Sequence, residues 1–280
     1  MTQEVRETED ELAQAHQVYR NVALFELVRD IRVGLNLAFY RTFAVPRIAE
    51  LLAHTGEIKA QPHKRSMDTG LFMYELIEAG YDSERGRQVV RALNKIHKRW
   101  DIAPGDYLYV LTTFIVVPAR WLENYGPRKL TDTETAAITT FYRELGRRMN
   151  IDNLPANYRD AERIFDDYEA RNVRYSDAGC ALMKSTENVM AEQLPRPLKP
   201  AAPLLTRLIL DDYVAEAVGL APAPRAGRAL MRLVGTIRRR RGHHRHAPRT
   251  DSWFKPGRKV EGVYPNGYQF EQLGPQNNSD

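Results

Sequence analysis

Between Tyr107 and Val117 the chain is strongly apolar, and Pro118 and Arg120 follow closely. A membrane-spanning helix needs about 20 apolar residues. This run is shorter and is interrupted, so it predicts a central core helix, kinked at Pro118. No stretch shows convincing strand alternation and no internal repeat is visible. The predicted fold class is all-α, a single multi-helix globular domain with an extended C-terminal arm. Arg120, beside Trp121, is placed close to the interior and needs a counter-charge. Asp106, Asp101 or an anionic group on a ligand would supply one.

From Ser83 to Trp100 the apolar residues Val89, Val90, Leu93, Ile96 and Trp100 form a helical stripe. His97 lies four residues after Leu93 and seven after Val90, in the middle of the expected buried face. Lys95, Lys98 and Arg99 take the solvent side. A buried imidazole without a partner costs a few kcal/mol. It is therefore either a core histidine bonded to a backbone carbonyl or an axial ligand to haem iron.

Met67–Ala79 reads as a further helix with Ser66 as N-cap and Asp68 in the first turn. Thr69, Phe72, Met73 and Leu76 share one face. Arg65 lies one turn before Thr69, at the helix mouth. A cation and a hydroxyl so placed face an anionic group such as a propionate or bound oxygen, or else form a cap and a surface arginine. His63, beside Pro62, reads as a loop residue.

These stretches belong to a longer ordered set. F-Y-R-T-F-A-V-P at Phe39–Pro46 is followed by K-R-x-x-D-T at Lys64–Thr69, N-K-I-H at Asn94–His97 and D-Y-L-Y-V-L at Asp106–Leu111. P-A-R-W at Pro118–Trp121, L-G-R-R-M-N-I at Leu145–Ile151 and D-Y-E at Asp167–Glu169 complete it. The set resembles the MpaB-type oxygenase family, which is similar to the catalytic domain of the latex clearing proteins, the rubber oxygenases. The resemblance implies a helical protein that binds haem b and uses dioxygen on an apolar, often isoprenoid, substrate. It places the proximal iron ligand on His97 and the distal arginine and threonine on Arg65 and Thr69. Arg120 then holds a propionate or braces the site. Two positions depart from the latex clearing pattern. Asp68 stands where those proteins carry a lysine just before the threonine, and Asn94 where they carry an arginine three residues before the histidine.

Other chemistries lack their signatures. There is no G-x-G-x-x-G, Walker loop, G-x-S-x-G or H-E-x-x-H. A di-iron bundle would need two Glu-x-x-His pairs, and none occurs. The single cysteine, Cys180, permits no intrachain disulfide, zinc cluster or iron–sulfur site and suits a reducing compartment. The start of the chain, M-T-Q-E-V-R-E-T-E-D-E, is acidic and has no signal-peptide h-region. The expected location is cytoplasmic, with peripheral membrane association as the variant.

The remaining pattern predicts one helix from Glu9 to Leu35 and another opened by Pro46 and ended by Thr55-Gly56. A capping box at Thr131–Glu134 opens Thr135–Met149, with Arg147 and Arg148 at its C-terminal end. Asn157 caps Tyr158–Arg171, and Ser176 or Asp177 opens a helix to Leu194. Pro195, Pro197, Pro200 and Pro203 read as a rigid connector. Leu204–Gly219 is strongly amphipathic and Ala226–Ile237 more weakly so. The domain expectation is an N-terminal helical segment at 1–35, an oxygenase-like helical core at 36–220, and a basic helix with an extended tail at 221–280.

Nine arginines and no acid fall between Arg225 and Arg249, against a net charge of +5 for the whole chain. The rest of the chain is therefore acidic and the basic character is local. The stretch Arg238–Arg249 would meet nucleic acid or an anionic membrane through its charge, or a metal through His243, His244 and His246, or remain a solvated tail. Trp253, Phe254, Tyr264, Tyr268 and Phe270 suggest an arm wrapping the body or a neighbouring subunit. Expected partners are a small hydrophobic substrate, dioxygen and a second copy in a homodimer, with nucleic acid or anionic membrane only through Arg238–Arg249. Two other functions fit parts of the pattern. One is a non-catalytic helical binding protein docked by the arginine-rich tail, and the other is a peroxidase-like haem enzyme.

Overall fold

The computed structural model describes residues 3–192, 196–242 and 249–274. Among the described residues the fold is all-α, and the only extended pairing is an isolated bridge between Val260 and Tyr264. The helices are α1 (Gln3–Asn21), α2 (Val28–Arg41), α3 (Pro46–His54), α4 (Glu57–Ala60), α5 (Pro62–Ala79), α6 (Glu84–His97) and α7 (Pro104–Tyr125). They continue with α8 (Asp132–Arg148), α9 (Tyr158–Asn172), α10 (Asp177–Glu192), α11 (Ala202–Ile209), α12 (Asp212–Ala217) and α13 (Arg225–Gly242). No helix among the described residues is long and apolar enough to cross a membrane.

The chain divides into two compact units. The first comprises Met1–Leu35, Phe72–Asp167 and Gly235–Pro256. Its core joins α1, α7 and α8. Tyr19 and Tyr142 are both fully buried and share a hydrogen bond of 2.9 Å between hydroxyls, surrounded by Phe114 and Phe141. The bond matters because a buried phenol without a partner costs free energy. The expected central helix is α7, which continues through Pro118. Gly34 lies so close to Pro118 that a Cβ there would overlap its Cα. The proline ring thus packs where α2 has no side chain.

The helix expected from Glu9 to Leu35 is interrupted. After α1 a single π-helical turn spans Val22–Glu26, and Leu27 leaves helical geometry before α2 begins. The cause lies in the carbonyls of that turn. Leu24 O accepts from the Trp253 amide at 3.0 Å and Phe25 O from the Arg249 amide at 3.4 Å. The arm thereby takes the place of intrahelical donors. Phe254 is buried beside Tyr74, and Arg32 stacks over Trp253.

The second unit comprises Asn36–Leu71, Tyr168–Val234 and Gly257–Asp280. Here α10 packs on α3, α4 and α11. Its polar centre is Arg41, whose Nε and Nη2 donate to the two oxygens of Glu169 at 2.8 and 2.6 Å. Arg41 Nη1 reaches Asp211 at 2.5 Å, and the Tyr213 hydroxyl bonds Glu169 at 2.5 Å. This network divides the helix expected from Leu204 to Gly219. Leu210 is extended, Asp211 turns to Arg41, and α12 restarts at Asp212. Within the proline-rich connector, Arg196–Ala201 forms a 3-10 turn, and Pro195 lies outside the described residues.

The first residues of the arginine-rich tail are helical, because α13 runs on to Gly242. Arg238, expected in a solvated or ligand-binding tail, is structural. Its guanidinium grips Asp30 at 2.9 and 3.0 Å, and Asp30, 5% exposed, also accepts from the Trp121 indole at 3.0 Å. His243, His244, Arg245 and His246 lie outside the described residues.

Candidate functional site

Helix α5 carries the first candidates. It opens at Pro62, four residues before the expected cap, as suits a residue with fixed φ and no N–H to leave unsatisfied. His63 is therefore helical rather than in a loop. Arg65 lies inside the helix and not at its mouth, its amide donating to Gln61 O at 2.9 Å. Ser66 is no cap: its hydroxyl is buried with no hydrogen-bond partner among the described residues. Arg65 and Thr69 are brought together, the guanidinium donating to Thr69 Oγ1 and that hydroxyl donating to Arg65 O at 3.1 Å. Burial lowers the Arg65 pKa, and the charges of Asp68 and Glu57 offset this only in part. A half-buried guanidinium held by a hydroxyl is an environment that favours an added anionic group.

Asp68 does not share that role. It is 1% exposed and accepts from Lys64 at 2.5 Å, the Tyr264 hydroxyl at 2.7 Å and the Gly274 amide at 2.9 Å. It anchors the C-terminal arm.

Helix α6 delivers His97 at its last residue. Ser83 caps its start by accepting from Gly86 N at 2.9 Å, and Arg85 holds the fully buried Glu75 through two bonds of 2.8 and 2.7 Å. Burial fades along the helix: Val89, Val90 and Leu93 are buried, whereas Ile96 and His97 are half-buried. His97 is thus at the end of the apolar face rather than in its middle. Its Nδ1 lies 2.7 Å from Leu93 O. A carbonyl only accepts, so Nδ1 carries the proton and the neutral ring has its lone pair on Nε2. This bond to a backbone carbonyl was one of the two expectations, and it is also how a metal-ligating histidine is oriented. The Tyr107 ring stands 5.7 Å away, its pKa raised by burial. Asn94, the second departure, donates to Arg148 O at 3.0 Å and so ties α6 to the end of α8.

Arg120 has neither Asp101 nor Asp106 as its counter-charge. Asp166 takes two bonds of 2.7 Å and Glu162 lies at 3.4 Å, with the guanidinium over the Phe165 ring. These partners on α9 hold Arg120 firmly charged, the Asp166 hydrogen bond raising its pKa most. Asp106 is buried in the first turn of α7.

The sequence patterns gave Ser66 only the role of a cap and gave Arg41 and Glu169 none. Nothing in periodicity marks Ser66, because its significance depends on where α5 begins. Arg41 and Glu169 sit in the F-Y-R-T and D-Y-E strings, and an arginine in an otherwise apolar string was the available signal. Among the described residues no group of three or more His, Cys, Asp or Glu side chains is arranged to cage a metal ion. A haem asks less of the protein, one axial side chain and partners for its acidic groups. In the first unit, the Nε2 lone pair of His97 suits the first requirement.

The chain is similar to known proteins over much of its length. ER-bound oxygenase mpaB' of Penicillium brevicompactum is 28% identical over 233 residues, covering 76% of this chain. ER-bound oxygenase mpaB of the same organism is 31% identical over 145 residues, 49% of the chain, and mpaB of Penicillium roqueforti is 26% identical over 224 residues, 73% of the chain. The aligned chain spans 55%, 37% and 75% of these relatives' lengths, in that order. The family model described as "ER-bound oxygenase mpaB/B'/Rubber oxygenase, catalytic domain" matches residues 26–239, an interval that holds every one of the ordered motifs, and the chain belongs to that family.

Proposed function

We propose that the chain is a haem b-dependent oxygenase that uses dioxygen on an apolar metabolite, isoprenoid or similar. The observation that carries this reading is the 2.7 Å approach of His97 Nδ1 to Leu93 O, which leaves Nε2 as the nitrogen to bind iron, in a chain of an oxygenase family. When bound, the haem would supply the iron at which dioxygen is activated. The chain's own residues do the rest. His97 Nε2 would hold the iron, and its Nδ1 hydrogen bond keeps the ring in one orientation and makes it a better donor. Arg65 would supply positive charge for an acidic group of the cofactor, and Thr69 steers that guanidinium through the shared hydrogen bond. Arg120 braces α7 on α9 through Asp166. Half-buried surroundings around Arg65 strengthen its interaction with an anion, since charges interact more strongly away from bulk water. An apolar substrate suits a helical pocket from which water is excluded.

The test is reconstitution with haem followed by oxygen uptake over a panel of isoprenoid and other apolar substrates. Haem binding with substrate-dependent oxygen consumption supports the reading. Turnover with peroxide but not dioxygen would replace it with a peroxidase, and failure to bind haem would remove it. Arg65→Ala and Thr69→Val are expected to retain haem with weakened oxygen chemistry, Arg65 having the larger effect.

A further inference from the structure

Helix α13 is packed inside out for a helix in water. Its inward face carries three glycines, Gly227, Gly235 and Gly242, with half-buried Met231 and Arg238 between them. A Cβ on Gly227 would meet the Leu208 side chain at 2.6 Å, one on Gly235 the carbonyl of Asn124 at 2.8 Å, and one on Gly242 the carbonyl of Pro127 at 2.7 Å. Arg238 on the same side is tied to Asp30. The other large apolar residues face outward: Leu230 is 58% exposed, Leu233 54%, Val234 40% and Ile237 40%. Their spacing of i, i+3, i+4 and i+7 makes one continuous stripe at 3.6 residues per turn. By the same helical register, exposed Arg225 and Arg240 fall on the Leu233 side of the stripe and Arg241 at its C-terminal end. The helix contains no acidic residue.

Each occupant of that stripe can be weighed against its chemistry. Two copies of α13 placed stripe to stripe would bring arginine rows together with no acid on the helix to answer them, a like-charge contact that opposes association. A phosphate backbone would satisfy the arginines and leave four large apolar side chains in water. A bilayer surface satisfies both, because acyl chains receive the leucines while anionic headgroups meet the arginines. We propose that α13 is an in-plane membrane-docking helix that seats this chain on an anionic lipid surface. The stripe lies flat and shallow, and no segment needs to cross the bilayer. This inference stands apart from the chemistry proposed above, since neither the glycine face nor the stripe includes a residue assigned to haem.

The experiment is co-sedimentation of the full chain with phosphatidylcholine vesicles, with and without phosphatidylserine. Three proteins are compared: the natural chain, Leu230→Ser with Leu233→Ser, and Arg225→Gln with Arg240→Gln and Arg241→Gln. The natural chain is expected to bind the anionic vesicles at least about tenfold more strongly than the neutral ones. The leucine variant should lose about tenfold or more with its thermal midpoint unchanged, because these side chains make exposed surface. The arginine variant should lose the anionic preference, about fivefold per charge. No binding of the natural chain to either vesicle overturns the proposal. So does binding that the leucine variant retains in full, which would make the contact electrostatic alone. A concentration-dependent dimer in analytical ultracentrifugation that the leucine variant abolishes would assign the stripe to a second copy. Sedimentation reads lipid binding with or without cofactor, so failure here leaves the oxygenase reading untouched.

Discussion

The Tyr264 hydroxyl donates to Asp68 Oδ1 at 2.7 Å, joining positions 196 residues apart. The other carboxylate oxygen takes Lys64 and the Gly274 amide, and Lys64 also donates to Gln272 O at 3.1 Å and Gly274 O at 2.9 Å. The aspartate that departs from the latex clearing pattern is therefore the buried knot that fastens the arm to α5, in the turn that carries Arg65 and Thr69. Burial raises the Tyr264 pKa, with the hydrogen bond to Asp68 adding to it, so the phenol remains a donor through the physiological range.

Asp68→Asn keeps the shape and removes the charge that Lys64 and two donors share. It is expected to cost on the order of 1–3 kcal/mol, and Tyr264→Phe about 1 kcal/mol. The double variant should cost less than the sum, because both changes break the same bond. Urea unfolding of the three variants measures this. Strict additivity would show that the arm is not held through that pair.

Arg41→Ala leaves Glu169, 4% exposed, without its bidentate partner. Removing one member of a buried pair costs about 3–5 kcal/mol. Arg41→Lys should recover only part of this, since an ammonium cannot span both carboxylate oxygens. Chemical denaturation checks the order: natural chain, Lys variant, Ala variant, from most to least stable.

These two networks also mark how far the sequence could be read. The apolar run at Tyr107–Val117, the stripe on α6 and the Thr131–Glu134 capping box are local patterns, and local patterns identify helices well. The family motifs singled out His97, Arg65 and Thr69 only as an expectation. What remained hidden depends on distant partners. Ser66 resembles a cap until Pro62 is seen to begin α5, and the turn at Val22–Glu26 opens because amides of Arg249 and Trp253 take its carbonyls. Arg120 calls for a counter-charge, yet nothing in spacing points to Asp166, 46 residues away. Arginines near Arg238 look solvated in sequence because Asp30 is 208 positions away.

Stability should also depend on Glu144. Burial pushes its carboxyl up, but hydrogen bonds from Arg147 and Arg148 outweigh this and hold it below the ordinary value of 4.5. A carboxylate with a depressed folded pKa contributes stability that is present above its unfolded value and is lost as pH falls through the folded one. The thermal midpoint is thus expected to drop as pH falls below 4.5. Glu144→Gln should begin from a lower midpoint near neutrality and show a shallower acid limb. Identical slopes for the two proteins would remove Glu144 from the account.

Gly34→Ala tests the approach of α2 to α7. The added methyl would overlap Pro118, and relieving such overpacking costs about 1–3 kcal/mol. At about 2–4 °C per kcal/mol for a protein of this size class, a loss of several degrees in thermal midpoint is expected. An unchanged midpoint would mean that the two helices separate without penalty.

The central claim concerns one nitrogen atom. The most direct measurement is the visible absorption spectrum of the haem-supplemented natural chain beside His97→Ala, with the alanine variant repeated in added imidazole. The account predicts a Soret band in the natural chain, its loss or shift in the variant, and recovery with imidazole as Nε2 is supplied from solution. A natural chain that shows no Soret band with haem present, or a band that His97→Ala leaves unchanged, would contradict it.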